Sequence, residues 1–511
     1  DVAEDATVVH VATDASGLAH VDVYRSVIAT RSLYLLEAPA GTLVVTDNFR
    51  NAAATLPVSE RTVADAAVAD HLLFRTRVPP ASYLEGISQV RHGRWRRWDA
   101  DSDTWTTTRT AGLTGGQPPQ SPRNAIARAL DTHIEHAGAT TATNMLSGGV
   151  DSTLLQTFVG DDALFVDHEP PEMSHERDYA TEAAGLLGVE PETVSFPEDR
   201  FLHRLESSMD HLGYPSHFSL TPVFDDLFGR LDTGCFLNGE GADALFGMDG
   251  IAGFRTATAL DPPLSWNATG ALASLLEPAT SLGRSLHAQA RQARRPPSAP
   301  RSFAQQFAFF SDPDLVAEIV GEAAIRRRSH EQFDYVTDRV ELGATRPPDR
   351  QLAAGHLLSF FGHTTVTQWR QLAHVHGSTL CTPFKTRSLV ELASSIPASE
   401  RYAQGSRLPT RIRQKHLLKD LLERRVPGYE TDKRKANGAY PRRRLFEDGC
   451  LQSVFDRYDP PAFLPSGLVP TQVERYGALT WTLITFALWR DRIVENPSLD
   501  LLDGCIDVRI E

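Results

Sequence analysis

Of the chain's 51 basic residues only five are lysine, Lys385, Lys415, Lys419, Lys433 and Lys435, and the last four share one stretch, residues 413–438. Acidic residues number 65, so the net charge is −14 and the pI is near 5.7. That balance argues against a general binder of nucleic acid or anionic membrane, whose domains are usually basic throughout. Cysteine is as scarce. Cys235, Cys381, Cys450 and Cys505 stand far apart with no C-x-x-C pair, which argues against a zinc site, a redox motif or a disulfide framework. A reducing cytoplasm is expected. No basic segment followed by an apolar run opens the sequence, so no signal peptide is expected. The longest apolar runs, such as "LTWTLITFALW", are too short to span a bilayer. There is no Gly-Lys-Ser/Thr of a Walker A loop and no G-x-S-x-G elbow.

What is present suits a globular protein of several domains. Apolar residues make up 41% of the chain, enough for more than one core. Between residue 7 and about residue 110, runs such as "ATVVHVAT", "SLYLLEA", "GTLVVTD" and "GRWRRWD" are separated by Gly, Asp and Asn, the patterning of strands and turns. A Gly-, Pro- and Ser-rich linker, 113–122, then divides a small β-rich domain, 1–112, from a second unit, 123–511. There the pattern alternates. "RNAIARALDTHIEHA" reads as a helix, "ATNML" as a strand, "DSTLLQTFVG" as a helix start and "ALFVDHE" as a strand. "ERDYATEAAGLLG" reads as a helix and "GCFLNGE" as a third strand running into a turn. This rhythm predicts an α/β domain built on a parallel sheet with helices on both faces. From about residue 250 the reading is mainly helical, with a loop at 292–302 and a last helix over "TWTLITFALWRDRIV".

In "NMLSGGVDST" a strand ends and a helix begins. Gly148 and Gly149 permit a sharp turn and a close approach of backbone to ligand. Ser147 and Ser152 add hydroxyl donors, and the helix turns free N–H groups toward the loop. Such a cradle suits phosphate. Asp151 would repel phosphate unless a divalent cation bridged the two. The plain alternative is a Ser/Gly turn with no ligand. Residues 147–152 resemble the pyrophosphate loop of the N-type ATP pyrophosphatases, which cleave ATP between the α- and β-phosphates, adenylate a substrate and release pyrophosphate. The resemblance implies ATP and Mg2+ as cofactors and an adenine nucleotide α-hydrolase-like sheet. It also implies nucleotide contacts at Leu146, Ser147, Gly148, Gly149, Asp151, Ser152 and, on the next strand, Val166. The loop alone does not choose among thiolation enzymes, NAD or GMP synthetases, and asparagine synthetases.

"LNGEGADALFG", residues 237–247, narrows the choice, because it resembles the S-G-E-G-A-D-E-L-F-G segment of the asparagine synthetase family. Gly239 and Gly241 would allow tight backbone near the α-phosphate and ribose. Asp243 would supply a second carboxylate for magnesium opposite Asp151. Glu240 would face the acyl-adenylate or the incoming amine. Two departures are visible: Asn238 replaces serine, and Ala244 replaces glutamate. "MSHERDYATEAAGLLGV", "STLCTPFKTRSLVELASSIP" and the tryptophan-rich last helix extend the resemblance over about 121–495. In the second of these, Lys385 and Thr386 stand where Leu-Asp is usual, which puts a pocket for free aspartate in doubt.

The resemblance also gives the lysines work. The family places one lysine before a K-x-x-L-R helix, matched by Lys415, and a second in R-x-K-x-G, matched best by Lys435, with Lys433 as the alternative register. Point cations on flexible stems neutralise a triphosphate well. A solvated basic face is the alternative, and it is the expected one for Lys419 and Lys433.

In glutamine-dependent members a leading domain hydrolyses glutamine with an initial cysteine. No cysteine precedes Cys235, while Pro80, Tyr83, Gly86 and Ile87 fit that domain's later signature loosely. The leading domain is therefore expected to be a shortened, inactive Ntn-like remnant, or else upstream residues are missing. The expected function is an AMP- and pyrophosphate-forming amide ligase, with Lys435 and Glu240 catalytic, Gly239 and Lys415 on the nucleotide, and Asp151 and Asp243 on magnesium. The partners implied are a small-molecule or peptide carboxylate with an amine or ammonia, and no nucleic acid or membrane; a homodimer is allowed for. Two substrate readings stay open: aspartate with ammonia, or a larger carboxylate with its own amine, as in β-lactam synthetases and lasso-peptide cyclases. Readings from another class are a tRNA-modifying enzyme gripping RNA with 401–444, and a nucleotide-binding scaffold.

Overall fold

The computed structural model describes residues 5–15, 17–37, 42–110, 112–168, 174–216, 218–247, 313–339, 361–401, 403–404, 412–413, 415–433, 440, 442–447, 449–463 and 473–510. Lys435 and the loop expected at 292–302 lie outside these residues.

The leading part forms two antiparallel sheets. One has the order β1 (Thr7–Asp14), β2 (Gly17–Arg25), β6 (Arg94–Asp99), β7 (Thr104–Arg109). The other contains β3 (Tyr34–Glu37), β4 (Leu43–Thr46) and β5 (Ile87–Gln89). Between them Val21, Val23, Leu33, Leu35, Leu43, Val45 and Val90 form a separate apolar core. This segment is less purely β than its sequence suggests, since helices Phe49–Ala54 and Asp65–Phe74 lie within it. The second carries polar residues on a face turned inward: Asp70 and His71 are fully buried. Asp70 is gripped there by Arg328, so local polarity gave no helix signal.

The second unit is built on a five-stranded parallel sheet. Its strands are β8 (Thr143–Met145), β9 (Ala163–His168), β10 (Glu192–Phe196), β11 (Cys235–Leu237) and β12 (Thr379–Cys381), in the spatial order β10-β9-β8-β11-β12. The strand read as the third is thus the fourth. "ETVSF" escaped notice because only Val194 and Phe196 face the core, leaving a short run of mixed polarity. Successive residues go to opposite faces. Ala163, Leu237 and Cys381 join one core, and Leu164, Phe236 and Leu380 the other, as a pleated strand covered on both sides requires.

The last strand, β13 (Asp507–Ile510), pairs antiparallel with β4, so the chain's final described segment returns to the leading part across the division read at 113–122. The closing helix spans Val473–Trp489 and buries Trp481 and Trp489 completely. Among the described residues no helix is long and apolar enough to cross a membrane.

The strand order fixes where a site can form. The chain runs from β8 outward to β10, then returns to place β11 on the other side of β8. In such sheets ligands bind beyond the carboxyl ends of the strands at that reversal. Both acidic turns, 147–151 after β8 and 238–243 after β11, lie there.

Candidate active site

The turn after β8 is held by its own polar groups. The Ser147 amide donates to Ser152 Oγ at 3.2 Å, the two hydroxyls are 3.1 Å apart, and the Gly149 amide faces Ser147 Oγ at 3.4 Å. Gly148 has φ +68°, and a Cβ built on it would fall 2.1 Å from the backbone carbon of Tyr179. Only glycine fits, because the helix Ser174–Leu187 runs directly against the loop. Tyr429 donates its hydroxyl to the Gly148 carbonyl from the other side. Leu146 turns its side chain into the core and donates its amide to the Leu164 carbonyl at 2.8 Å, ending the strand at the loop. Val166 sits half-buried on the neighbouring strand, opposite Val194.

The turn after β11 presses on the first. A Cβ on Gly239 would lie 2.8 Å from Asp151 Cβ, so the absence of a side chain there sets the spacing of the two turns. Asn238 explains its own departure from the family pattern: its Oδ1 accepts the Glu240 amide at 2.7 Å and shapes the turn. Ala244 is buried in the apolar core, where a glutamate would have to be desolvated. Glu240 is half-buried at the turn.

Lys415 joins the turns. Its Nζ pairs with Asp151 and lies 3.0 Å from Asp243 Oδ1. Its amide donates to the Phe246 carbonyl at 2.8 Å, and its φ of +55° places it in the left-handed region, rare for a residue with a side chain. Burial would push the ammonium's pKa down; the Asp151 and Asp243 carboxylates outweigh burial and hold it above the usual lysine range. The position between the two acids is therefore already one that attracts a cation. Two carboxylates on facing turns, beside a loop where glycine alone fits, are a donor set suited to a divalent cation on a polyphosphate.

The other lysines part company. Lys419, half-buried itself, pairs with the exposed Asp432 at 2.6 Å, away from the two acids. Lys433 pairs with Glu182 at 2.8 Å and lies over the rings of Tyr429 (4.1 Å) and Tyr179 (5.2 Å), braced behind the Gly148 loop rather than beside the acids. Lys385 is almost wholly buried, with Nζ 2.7 Å from His363 Nδ1. Next to it Thr386 caps the helix Arg387–Ser395 by accepting from the Leu389 amide.

Tyr179, in the segment "MSHERDYATEAAGLLGV" matched to the family by its acidic residue before Tyr-Ala, and Tyr429, which sequence reading passed over because it follows the helix His416–Arg425 with no motif of its own, wall the Gly148 loop. Sequence reading also passed over Glu176, buried on the same helix as Tyr179, whose carboxyl burial pushes up to about 7. His376 and His211 both lie within donating distance of Asp225, at 3.0 and 2.7 Å. Scanned against family models, residues 123–471 match that of asparagine synthase. A search of curated proteins returns no match.

Proposed function

The chain belongs to the asparagine synthase family of ATP-dependent ligases, and from that premise we propose that it adenylates a carboxylate and joins it to an amine or ammonia, releasing AMP and pyrophosphate. The observation that supports this most is the convergence of Asp151, Asp243 and Lys415, the first and last 264 residues apart in sequence, at the reversal point of the sheet.

Asp151 and Asp243 are the residues that would hold magnesium, which when bound supplies charge neutralisation for the departing pyrophosphate. Lys415 holds phosphate, moving by a short rotation of its stem from the carboxylates it now bridges. Ser147, Gly148, Gly149, Ser152 and Gly239 offer close backbone and hydroxyl groups to the nucleotide. Glu240 takes the proton of the attacking amine, and Lys435 is assigned to the charge that develops at the α-phosphate.

A second substrate reading has its own support. Thr386 uses its hydroxyl as a helix cap and Lys385 is buried against His363, so neither presents the acid that the family's usual Leu-Asp would bring. A larger carboxylate carrying its own amine, as in the β-lactam synthetase and lasso-peptide cyclase types, suits that change better than free aspartate.

An RNA-modifying role is less well supported. Burial pushes the thiols of Cys381 and Cys450 up to about 12 and 11, far from the thiolate that sulfur transfer needs. The described lysines of 401–444 each face an acid of the chain itself. A cytoplasmic setting, where ATP and magnesium are at hand, follows from the ligase reading.

The test is pyrophosphate release from ATP with magnesium, screened over amino-acid and peptide carboxylates with and without ammonia. Release with at least one acid, abolished by Asp151→Asn, supports the proposal. ATP binding without release for any acid would favour a scaffold, and salt-sensitive retention of tRNA would favour the RNA reading.

A further inference from the structure

Away from the two acidic turns, a cavity of about 30 Å³ lies where the leading sheets meet the helices Glu322–Arg339 and Phe361–Val375. Arg77 lines it and is only 8% exposed. Its Nε and Nη1 are buried without a hydrogen-bond acceptor, and no described carboxylate forms an ion pair with it. The guanidinium stacks on Tyr83, 3.4 Å from the ring centroid, with Tyr214 and Phe49 5.5 and 5.7 Å away. Aromatic faces return only part of what it costs to strip water from a guanidinium, which is charged under all ordinary conditions.

Two more donors border the same space. The hydroxyls of Thr364 and Thr367 line the cavity and are buried with no partner. None of the described lining residues is acidic. Two lining histidines carry no compensating charge of either sign. Burial first, then Arg25 and Arg339, holds His92 neutral, and burial, then Lys385, Arg25 and Arg339, does the same for His363. The surroundings are thus cationic and rich in hydrogen-bond donors.

We infer that this cavity binds a small monovalent anion, a carboxylate of one or two carbons, held by Arg77 and the hydroxyls of Thr364 and Thr367. The volume is that of about two water-sized sites, too little for a phosphate ester or nucleotide. The site is separate from the acidic turns and draws its ligands from both the leading part and the helices. An occupied site ties the leading sheets to the helix that ends just before β12.

The experiment uses the full chain in a buffer of a bulky sulfonate, with ionic strength held constant while sodium formate or acetate replaces the sulfonate salt. Calorimetry and thermal melting are followed together. The expected result is one saturable site for formate and acetate, a rising melting temperature as it fills, and no site for pivalate. Arg77→Met keeps the aromatic packing and lowers the affinity about ten- to a hundredfold, the worth of a charge-assisted hydrogen bond. Should that variant not fold, the Thr364→Val/Thr367→Val pair carries the comparison, with a several-fold loss expected. The inference is overturned if the unaltered chain shows no saturable response to formate or acetate, or if its response persists unchanged in whichever variant folds.

Discussion

Gly239→Ala tests the claim that the spacing of the two turns, more than any single side chain, makes the site. The new methyl would sit 2.8 Å from Asp151 Cβ, with the Asp151 carbonyl carbon and the Ser152 amide each 3.4 Å away. Ordinary carbon–carbon contact is about 3.5–4.0 Å, so the turns must separate by about 0.7–1.2 Å. Overpacking of this kind costs about 1–3 kcal/mol of stability. The larger effect falls on activity, because Asp151 moves relative to Asp243 and Lys415, and a misplacement of about 1 Å in a positioned group costs about a hundredfold in rate. Pyrophosphate release or ATP–pyrophosphate exchange reads the rate, and thermal melting reads the stability. Gly185→Ala is the control: that glycine lies within a helix with nothing near its Cβ position, and alanine there is expected to be neutral or stabilising by up to about 1 kcal/mol. If Gly239→Ala keeps full activity, the contact between the turns does not set the geometry of the acids, and the argument for the site fails.

Four further outcomes follow from the same geometry. Lys415→Met is expected to cost about a hundredfold or more in pyrophosphate release, whereas Lys419→Met, which loses only an exposed pair, should leave activity intact and change stability by no more than about 1 kcal/mol. Tyr429→Phe removes the hydroxyl donated to Gly148, and should lower stability by about 1 kcal/mol and raise KM for ATP more than it lowers kcat. Glu176 sets a pH dependence. Its carboxyl rises from 4.5 unfolded to about 7 folded, so its contribution is fully present below pH 4.5 and is lost as pH climbs to 7, by about 3 kcal/mol in all. Denaturant unfolding of Glu176→Gln should therefore lack that decline and, above pH 8, show a variant more stable than the parent. Ala244→Glu, restoring the residue the family uses, should destabilise by at least about 2 kcal/mol, because the position is buried among apolar side chains.

The legible parts of this chain were those in which local chemistry and topology coincide. Residues 147–152 and 237–247 each combine a strand end, glycines and an acid, and the sheet order then brings them side by side. Lys415 was legible only through its family motif, since nothing local distinguishes it from Lys419 four residues on. What separates them is the partner: Asp151 and Asp243 for one, the exposed Asp432 for the other. Residues whose role depends on distant backbone stayed hidden. Tyr179 matters because its carbonyl carbon occupies the space beside Gly148, and β13 because it returns to β4 after nearly the whole chain has intervened. Arg77 looked like any other basic residue until its burial against Tyr83 was known.

The lysine at position 415 finds its reason in how the two cations grip acids. Several single carboxylates are held by the guanidinium fork: Arg97 holds Asp22 through Nε and Nη2 at 2.7 and 2.8 Å, and Arg177, Arg328 and Arg492 hold Asp167, Asp70 and Asp210 in the same two-point manner. That geometry is planar and presents its paired donors to one carboxylate at a time. At the acidic turns the requirement is different, because two carboxylates on separate loops must share one charge that later yields its place. An ammonium is a point donor that can face both acids at once and leave by rotating a slender stem, here threaded past Gly247, where even a methyl would come within 2.6 Å of Asp243 Oδ1 and 3.4 Å of Lys415 Cε. A guanidinium at 415 would have to fit its wider plane into that same gap. At position 415 lysine meets the need for a cation that is both bridging and removable, whereas Lys419 and Lys433 each face a single acid.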